Sequence, residues 1–120
     1  MEKEKNSRKF DLDERTFKFA YDVIGFVKKL PRTIANNENV KQLVRSAGSI
    51  GANYIEASEA LSQKDFTMHI KICRKEAKES RYWLQLLDMG NSDISDQRDS
   101  LIQEVTELMK IFGAIIEKSK

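Results

Sequence analysis

Residues 40–61, VKQLVRSAGSIGANYIEASEAL, decide the fold. Val40, Leu43, Ala47, Ile50, Tyr54, Ala57 and Leu61 recur at alternating steps of three and four, the period that lays apolar side chains along one face of an α-helix. The spacing predicts a helix over the whole stretch. Inside it, Gly48 and Gly51 each cost about 1 kcal/mol relative to alanine. With Ala47, Ser49, Ala52 and Asn53 they form a run of small residues. Such a run permits close approach of another helix, either a neighbour in the same bundle, which is the preferred reading, or a second subunit.

Toward the N-terminus, residues 31–39 carry Pro31, Asn36, Asn37 and Asn39, which favour turns or compete with the helix for backbone hydrogen bonds. This stretch is read as the longest internal connection. Before it, Phe17, Ala20, Ile24, Val27 and Leu30 repeat at helical spacing, with Phe19, Val23 and Phe26 widening the apolar face, so a first helix should end before Pro31. Residues 1–10, MEKEKNSRKF, offer little to bury and are expected to form a flexible tail, leaving residues 11–118 as a single domain.

Toward the C-terminus, Ser62 followed by Asp65 resembles a capping box, and Phe66, Ile70, Cys73, Ala77, Leu84 and Leu87 continue a third apolar stripe as far as Met89. Gly90 supplies a stop, and Asn91, Ser92 and Asp93 the next cap. Leu101, Val105, Leu108, Phe112 and Ile115 mark a fourth helix. Four long helices with mostly short connections predict an all-α, antiparallel up-down-up-down four-helix bundle.

Composition narrows the function. Five Gly and one Pro in 120 residues are too few for the turns of a short-stranded sandwich or barrel. A single cysteine, Cys73, forms no internal disulfide and fits a reducing, cytoplasmic setting. Cys73 and His69 lie one turn apart but make only two metal ligands, so neither a metal nor another cofactor is expected. No apolar run reaches the roughly 18 residues needed to span a bilayer, and the N-terminus lacks the apolar core of a signal peptide.

With 21 basic and 19 acidic side chains, the net charge of +2 says little, and clustering says more. At about 100° per residue, Lys71, Arg74, Lys75, Lys78 and Arg81 fall within about a third of the third helix's circumference. This stripe is either a solvated face or a phosphate-binding surface. Glu76 and Glu79 fall beside the apolar arc with Ile72, Trp83, Leu86 and Leu87, where a carboxylate needs a partner. No nucleophile, glycine-rich phosphate loop or metal set accompanies them, so they are read as accepting hydrogen bonds from Asn53, Tyr82 or an arginine across a helix or subunit interface. Trp83 is read as core or interface rather than a base-stacking platform.

Two stretches carry a resemblance. The second helix reads RSAGSIGANYIE at residues 45–56 and the third reads KEAKESRYWL at residues 75–84. Over residues 13–115 the chain resembles the bacterial four-helix bundle proteins named after the intervening sequences of 23S ribosomal RNA. Ser49, Ile50, Ala52, Asn53, Glu56, Asp65, Phe66, Lys75, Glu76, Glu79, Tyr82, Trp83 and Leu84 are the most specific matches. The resemblance implies a homo-oligomer, specifically a homopentamer. Its relatives include the accessory variability protein of diversity-generating retroelements, a five-fold barrel with a basic surface that binds nucleic acid and its reverse transcriptase. Asn53, Glu56, Glu76 and Glu79 are expected to form a structural polar network that fixes helix register. Together these readings predict a non-enzymatic oligomer whose face of Lys71, Arg74, Lys75, Lys78 and Arg81 engages RNA, DNA or a nucleic-acid enzyme. The alternative is a structural or protein-interaction scaffold.

Overall fold

The computed structural model describes the backbone of residues 2–90 and 92–120, and side chains of residues 12–90 and 93–120. Four helices, α1 (Glu2–Val27), α2 (Ile34–Ser58), α3 (Gln63–Leu86) and α4 (Ser95–Lys118), make up the fold, with a 3₁₀ turn at Ser92–Ile94. The tail expected at residues 1–10 lies outside the residues whose side chains are described. No strand occurs among the described residues, and none of their helices is long and apolar enough to cross a membrane.

Neighbouring helices run antiparallel. Ser46 of α2 meets Ser80 of α3 through a buried hydroxyl pair at 2.8 Å, while Asn53, further along α2, meets His69, earlier on α3. Likewise Arg15 of α1 bonds Glu104 of α4, while Lys29, beyond the end of α1, reaches Gln97 near the start of α4. The core fills the space between all four helices with Phe19, Phe26, Leu43, Ile50, Ile70, Leu84, Leu108 and Phe112, all buried. Burial of this apolar surface is the main drive to fold.

The α2 stripe is as its spacing predicts at Leu43, Ala47, Ile50, Tyr54 and Ala57, all buried. Its ends differ. The helix begins at Ile34 rather than near Val40, and Leu61 stands fully exposed beyond its last turn. The early start has a local cause and a distant one. Thr33 Oγ1 accepts from the backbone N–H of Asn36 at 3.0 Å, capping the helix. The side chain of Asn36 then turns away from its own helix. Its Nδ2 donates to the carbonyls of Pro31 at 3.0 Å and Asp88 at 2.8 Å, and its Oδ1 accepts from the Asp88 N–H at 2.9 Å.

The stripe expected on α1 also needs correction. Phe17 and Ile24 are exposed, and the buried set is Leu12, Thr16, Phe19, Val23, Phe26 and Leu30, spaced four, three, four, three and four. Thr16 belongs in this core because its hydroxyl donates to the Leu12 carbonyl at 2.8 Å and so needs no water. On α4 the last buried residue is Ile116, with Ile115 beside it half-buried.

Ser62 caps α3 by accepting from the Asp65 N–H at 3.1 Å. That helix stops at Leu86, three residues before Met89, because Leu87 is already extended. Gly90 adopts φ +61° and passes so close to Pro31 that a Cβ there would lie 2.7 Å from Pro31 Cγ. Ile94 stands at the N-cap of α4 without a side-chain hydrogen bond and the 3₁₀ turn leads into the helix, while the cap role expected of Asn91 and Ser92 falls on side chains outside those described.

Candidate nucleic-acid interface

Lys71, Arg74, Lys75 and Lys78 are exposed on α3 and Arg81 is half-buried. None of the five forms an ion pair among the described residues, and Arg74 extends toward α4, where a Cβ on Gly113 would sit 4.0 Å from its Nη1. Absence of a partner follows from how α3 distributes its charges. Its carboxylates Glu76 and Glu79 lie on the flank facing α2, and Arg45 of α2 draws both away from the cations. Arg45 Nη1 donates to Glu76 Oε2 at 3.2 Å and Nη2 to Glu79 Oε1 at 3.3 Å. Arg45 thereby engages the two carboxylates in the middle of α3, while the five cations of that helix form no ion pair among the described residues.

The four residues expected to share a polar network do not join in one chain of hydrogen bonds. Glu76 is buried and Glu79 half-buried, and the two meet through Arg45. Asn53 stands apart from them. Its Nδ2 donates to the Ser49 carbonyl at 2.9 Å, which directs its Oδ1 toward His69 Nδ1 at 3.4 Å. His69 Nε2 lies 3.5 Å from Asp65 Oδ1, so the ring links α2 to the first turn of α3. Glu56 is exposed and hydrogen-bonds to none of the other three. The spread has a simple cause: on antiparallel helices Asn53 falls level with His69, about two turns from Glu76.

Trp83 is half-buried, edge-on to the exposed Tyr82 at 5.1 Å between ring centroids. Trp83 Nε1 and Glu76 Oε1 are both buried without a hydrogen-bond partner among the described residues. Cys73 is fully buried, donates to the Ile50 carbonyl at 3.4 Å, and has its thiol pushed up to about 12 by burial. No group of three or more His, Cys, Asp or Glu side chains among the described residues could hold a metal ion.

Sequence reasoning left one feature of the surface unread. The small-residue run of α2 divides in two. Gly51 packs inward, where a Cβ would lie 3.2 Å from Thr16 Oγ1, whereas Gly48 has nothing within 4 Å and opens onto the exterior. The signal was present in α1, where Phe17, Ala20, Ile24 and Val27 form a second apolar stripe alongside the buried one.

Four packed helices, with no strand among the described residues, define an all-α four-helix bundle protein. The sequence model of the 23S rRNA-intervening sequence protein family matches residues 8–114, and the chain belongs to that family. Among solved structures it is similar to a protein of unknown function from the S23 ribosomal protein family of Bacteroides thetaiotaomicron. That crystal structure, at 1.70 Å resolution, is 33% identical with a TM-score of 0.74, over 88% of this chain and 97% of the other. No curated protein matches the chain.

Proposed function

We propose that this protein is a non-enzymatic homo-oligomeric binding module of the cytoplasm, which engages the phosphate backbone of RNA or DNA through Lys71, Arg74, Lys75, Lys78 and Arg81. The observation that carries the reading is that Arg45 engages Glu76 and Glu79, while Lys71, Arg74, Lys75, Lys78 and Arg81 form no ion pair among the described residues. Cations exposed along a helix contact phosphates without reading base sequence. A net charge of +2 gives one copy only a weak long-range field, so repetition of the stripe around an assembly strengthens binding. The homopentamer implied by the family resemblance would present five such stripes.

The test is a fluorescence-anisotropy titration of labelled structured RNA and duplex DNA at several salt concentrations. Log affinity should fall linearly with log salt, with a slope reporting several phosphate contacts. Changing Arg74→Glu together with Lys78→Glu should weaken binding to both nucleic acids and flatten the slope. No binding at low salt, or unchanged affinity in the double variant, removes the role of this face. A second reading, a protein-interaction scaffold, has its own support in the exposed apolar side chains Phe17, Tyr21 and Ile55. Binding of a protein partner that is insensitive to salt would favour it.

A further inference from the structure

The cations of α3 have a companion on α4. Arg74 lays its guanidinium across the seam between the two helices at Gly113, the only glycine of α4, where a Cβ would lie 4.0 Å from Arg74 Nη1. The missing side chain gives the guanidinium room to reach into the seam. Arg81, seven residues further along α3, falls within about 20° of Arg74 on the helix circumference and leans to the same side. It is half-buried, as befits a wall of the seam, whereas Lys71, Lys75 and Lys78 stand exposed on the ridge.

Lys110 supplies the other wall. It comes one turn before Gly113 on α4, is exposed, and forms no ion pair among the described residues. Because neighbouring helices run antiparallel, one turn back from Gly113 on α4 is level with one turn forward from Arg74 on α3, which is Lys78. The carboxylates of α4 do not offset Lys110. From Glu104 onward each is taken by another cation, Glu104 and Glu107 by Arg15 of α1 and Glu117 by Lys120. On α3, Arg45 engages Glu76 and Glu79.

Cations on both walls of a seam restrict the shape of the anion between them. The axes of packed helices stand about 8–10 Å apart. A duplex, whose major groove alone is about 12 Å wide, is too broad to enter and would touch only the ridge. A single sugar–phosphate chain can lie along the seam, with cations reaching its phosphates from both sides. We infer that the seam between α3 and α4 is a track for a single-stranded polynucleotide, held by its phosphates between Arg74 and Arg81 on one wall and Lys110 on the other, with Gly113 seating Arg74. The inference rests on the phosphate-binding reading of α3, and it names the form of nucleic acid and the α4 residues which that reading leaves open. Contacts to phosphates read neither base nor sugar, so unstructured RNA and DNA strands should bind alike.

Fluorescence anisotropy with labelled oligo(dT), oligo(U) and a blunt DNA duplex of equal length tests it, each titrated at several salt concentrations, with circular dichroism confirming the fold of every variant. The wild type should bind the two single strands with equal affinity, and both more tightly than the duplex. Lys110→Gln should lower the salt slope for the single strands by about 0.7, the loss of one phosphate contact, and leave the duplex slope unchanged. Gly113→Asp should weaken single-strand binding, because its carboxylate captures Arg74 alongside. Gly113→Asn, of the same size and uncharged, should bind more tightly than Gly113→Asp. Single-strand binding that Lys110→Gln and Gly113→Asp both leave unchanged would overturn the seam, and the α3 reading would survive if Arg74→Glu with Lys78→Glu still weakened it. A duplex bound more tightly than the single strands would overturn the strand assignment, and a preference between oligo(U) and oligo(dT) would overturn contact through phosphate alone. Absence of binding to all three probes at low salt would remove the α3 reading and the seam together.

Discussion

Arg45, half exposed on α2, is held 3.2 Å from Glu76, whose side chain retains only 8% of its exposure on α3. The pair is asymmetric: the guanidinium keeps contact with water, while the carboxylate depends on the protein. Glu76 Oε1 has no partner, so the bond from Arg45 to Oε2 is the main compensation for its burial.

Arg45→Ala is therefore expected to destabilise the fold by about 1–3 kcal/mol, the cost of leaving a buried polar group unsatisfied. Glu76→Gln should cost less, because it removes the buried charge along with the ion pair. In urea unfolding the double variant should lie above the sum of the singles in stability, by a coupling of roughly 0.5–3 kcal/mol expected for contacting residues. Strict additivity would show that the two side chains do not act on each other.

The two glycines of α2 should respond in opposite senses. Gly48→Ala places a methyl in open space and gains helix propensity, so unfolding free energy should rise by about 0.5–1 kcal/mol. Gly51→Ala meets Thr16 Oγ1 at 3.2 Å, and that hydroxyl is fixed by its bond to Leu12 and buried in the core. It should gain nothing or lose stability. Thermal unfolding of both variants makes the comparison, with light scattering reading separately what the Gly48 methyl does to assembly.

Much of the bundle was legible because three of its stripes depend on local spacing. Leu43, Ala47, Ile50, Tyr54 and Ala57 mark the buried face of α2 with no rival set on the same helix. On α1 two stripes compete. Thr16 interrupts the apolar pattern of the true core, while Phe17, Ala20, Ile24 and Val27 give an uninterrupted one, and only the tertiary position of α2 and α4 decides between them. The start of α2 was hidden for a similar reason. Asn36 reads as a turn residue until Asp88, 52 positions away, is seen to occupy its side chain. The cation stripe was readable from angles alone, and its isolation from Glu76 and Glu79 was not, because Arg45 comes from another helix.

Asn36 fastens two connections at one end of the bundle. Replacing it with alanine strips partners from the carbonyls of Pro31 and Asp88 and from the Asp88 N–H at once. The loss should be about 2–3 kcal/mol, near the upper part of the range for unsatisfied buried groups. Asn36→Asp keeps the acceptor for the Asp88 N–H but sets a carboxylate against two carbonyl oxygens, so it should destabilise as well. Hydrogen exchange at Asp88 would accelerate in both variants, more strongly in Asn36→Ala. Wild-type protection at Asp88 in Asn36→Ala would mean that this bond is not what holds the turn.

Cys73 gives a prediction in pH. Burial raises its thiol from the ordinary 9.0 to about 12, so the folded chain keeps the proton where the unfolded chain loses it. A raised acid group of this kind contributes its full stability below pH 9, and that contribution declines as pH rises from 9 toward 12, because the unfolded state alone gains by ionising. The same burial denies reagents the thiolate, which is the reactive form. Iodoacetamide at pH 8 should therefore leave the native protein unmodified and alkylate it in denaturant. In Cys73→Ala the pH 9–12 decline should be shallower than in wild type, although deleting the sulfur from a filled core lowers stability at every pH. Rapid native-state alkylation would show instead that the α2–α3 interface opens at Ile50, where the thiol is otherwise bonded to the backbone carbonyl.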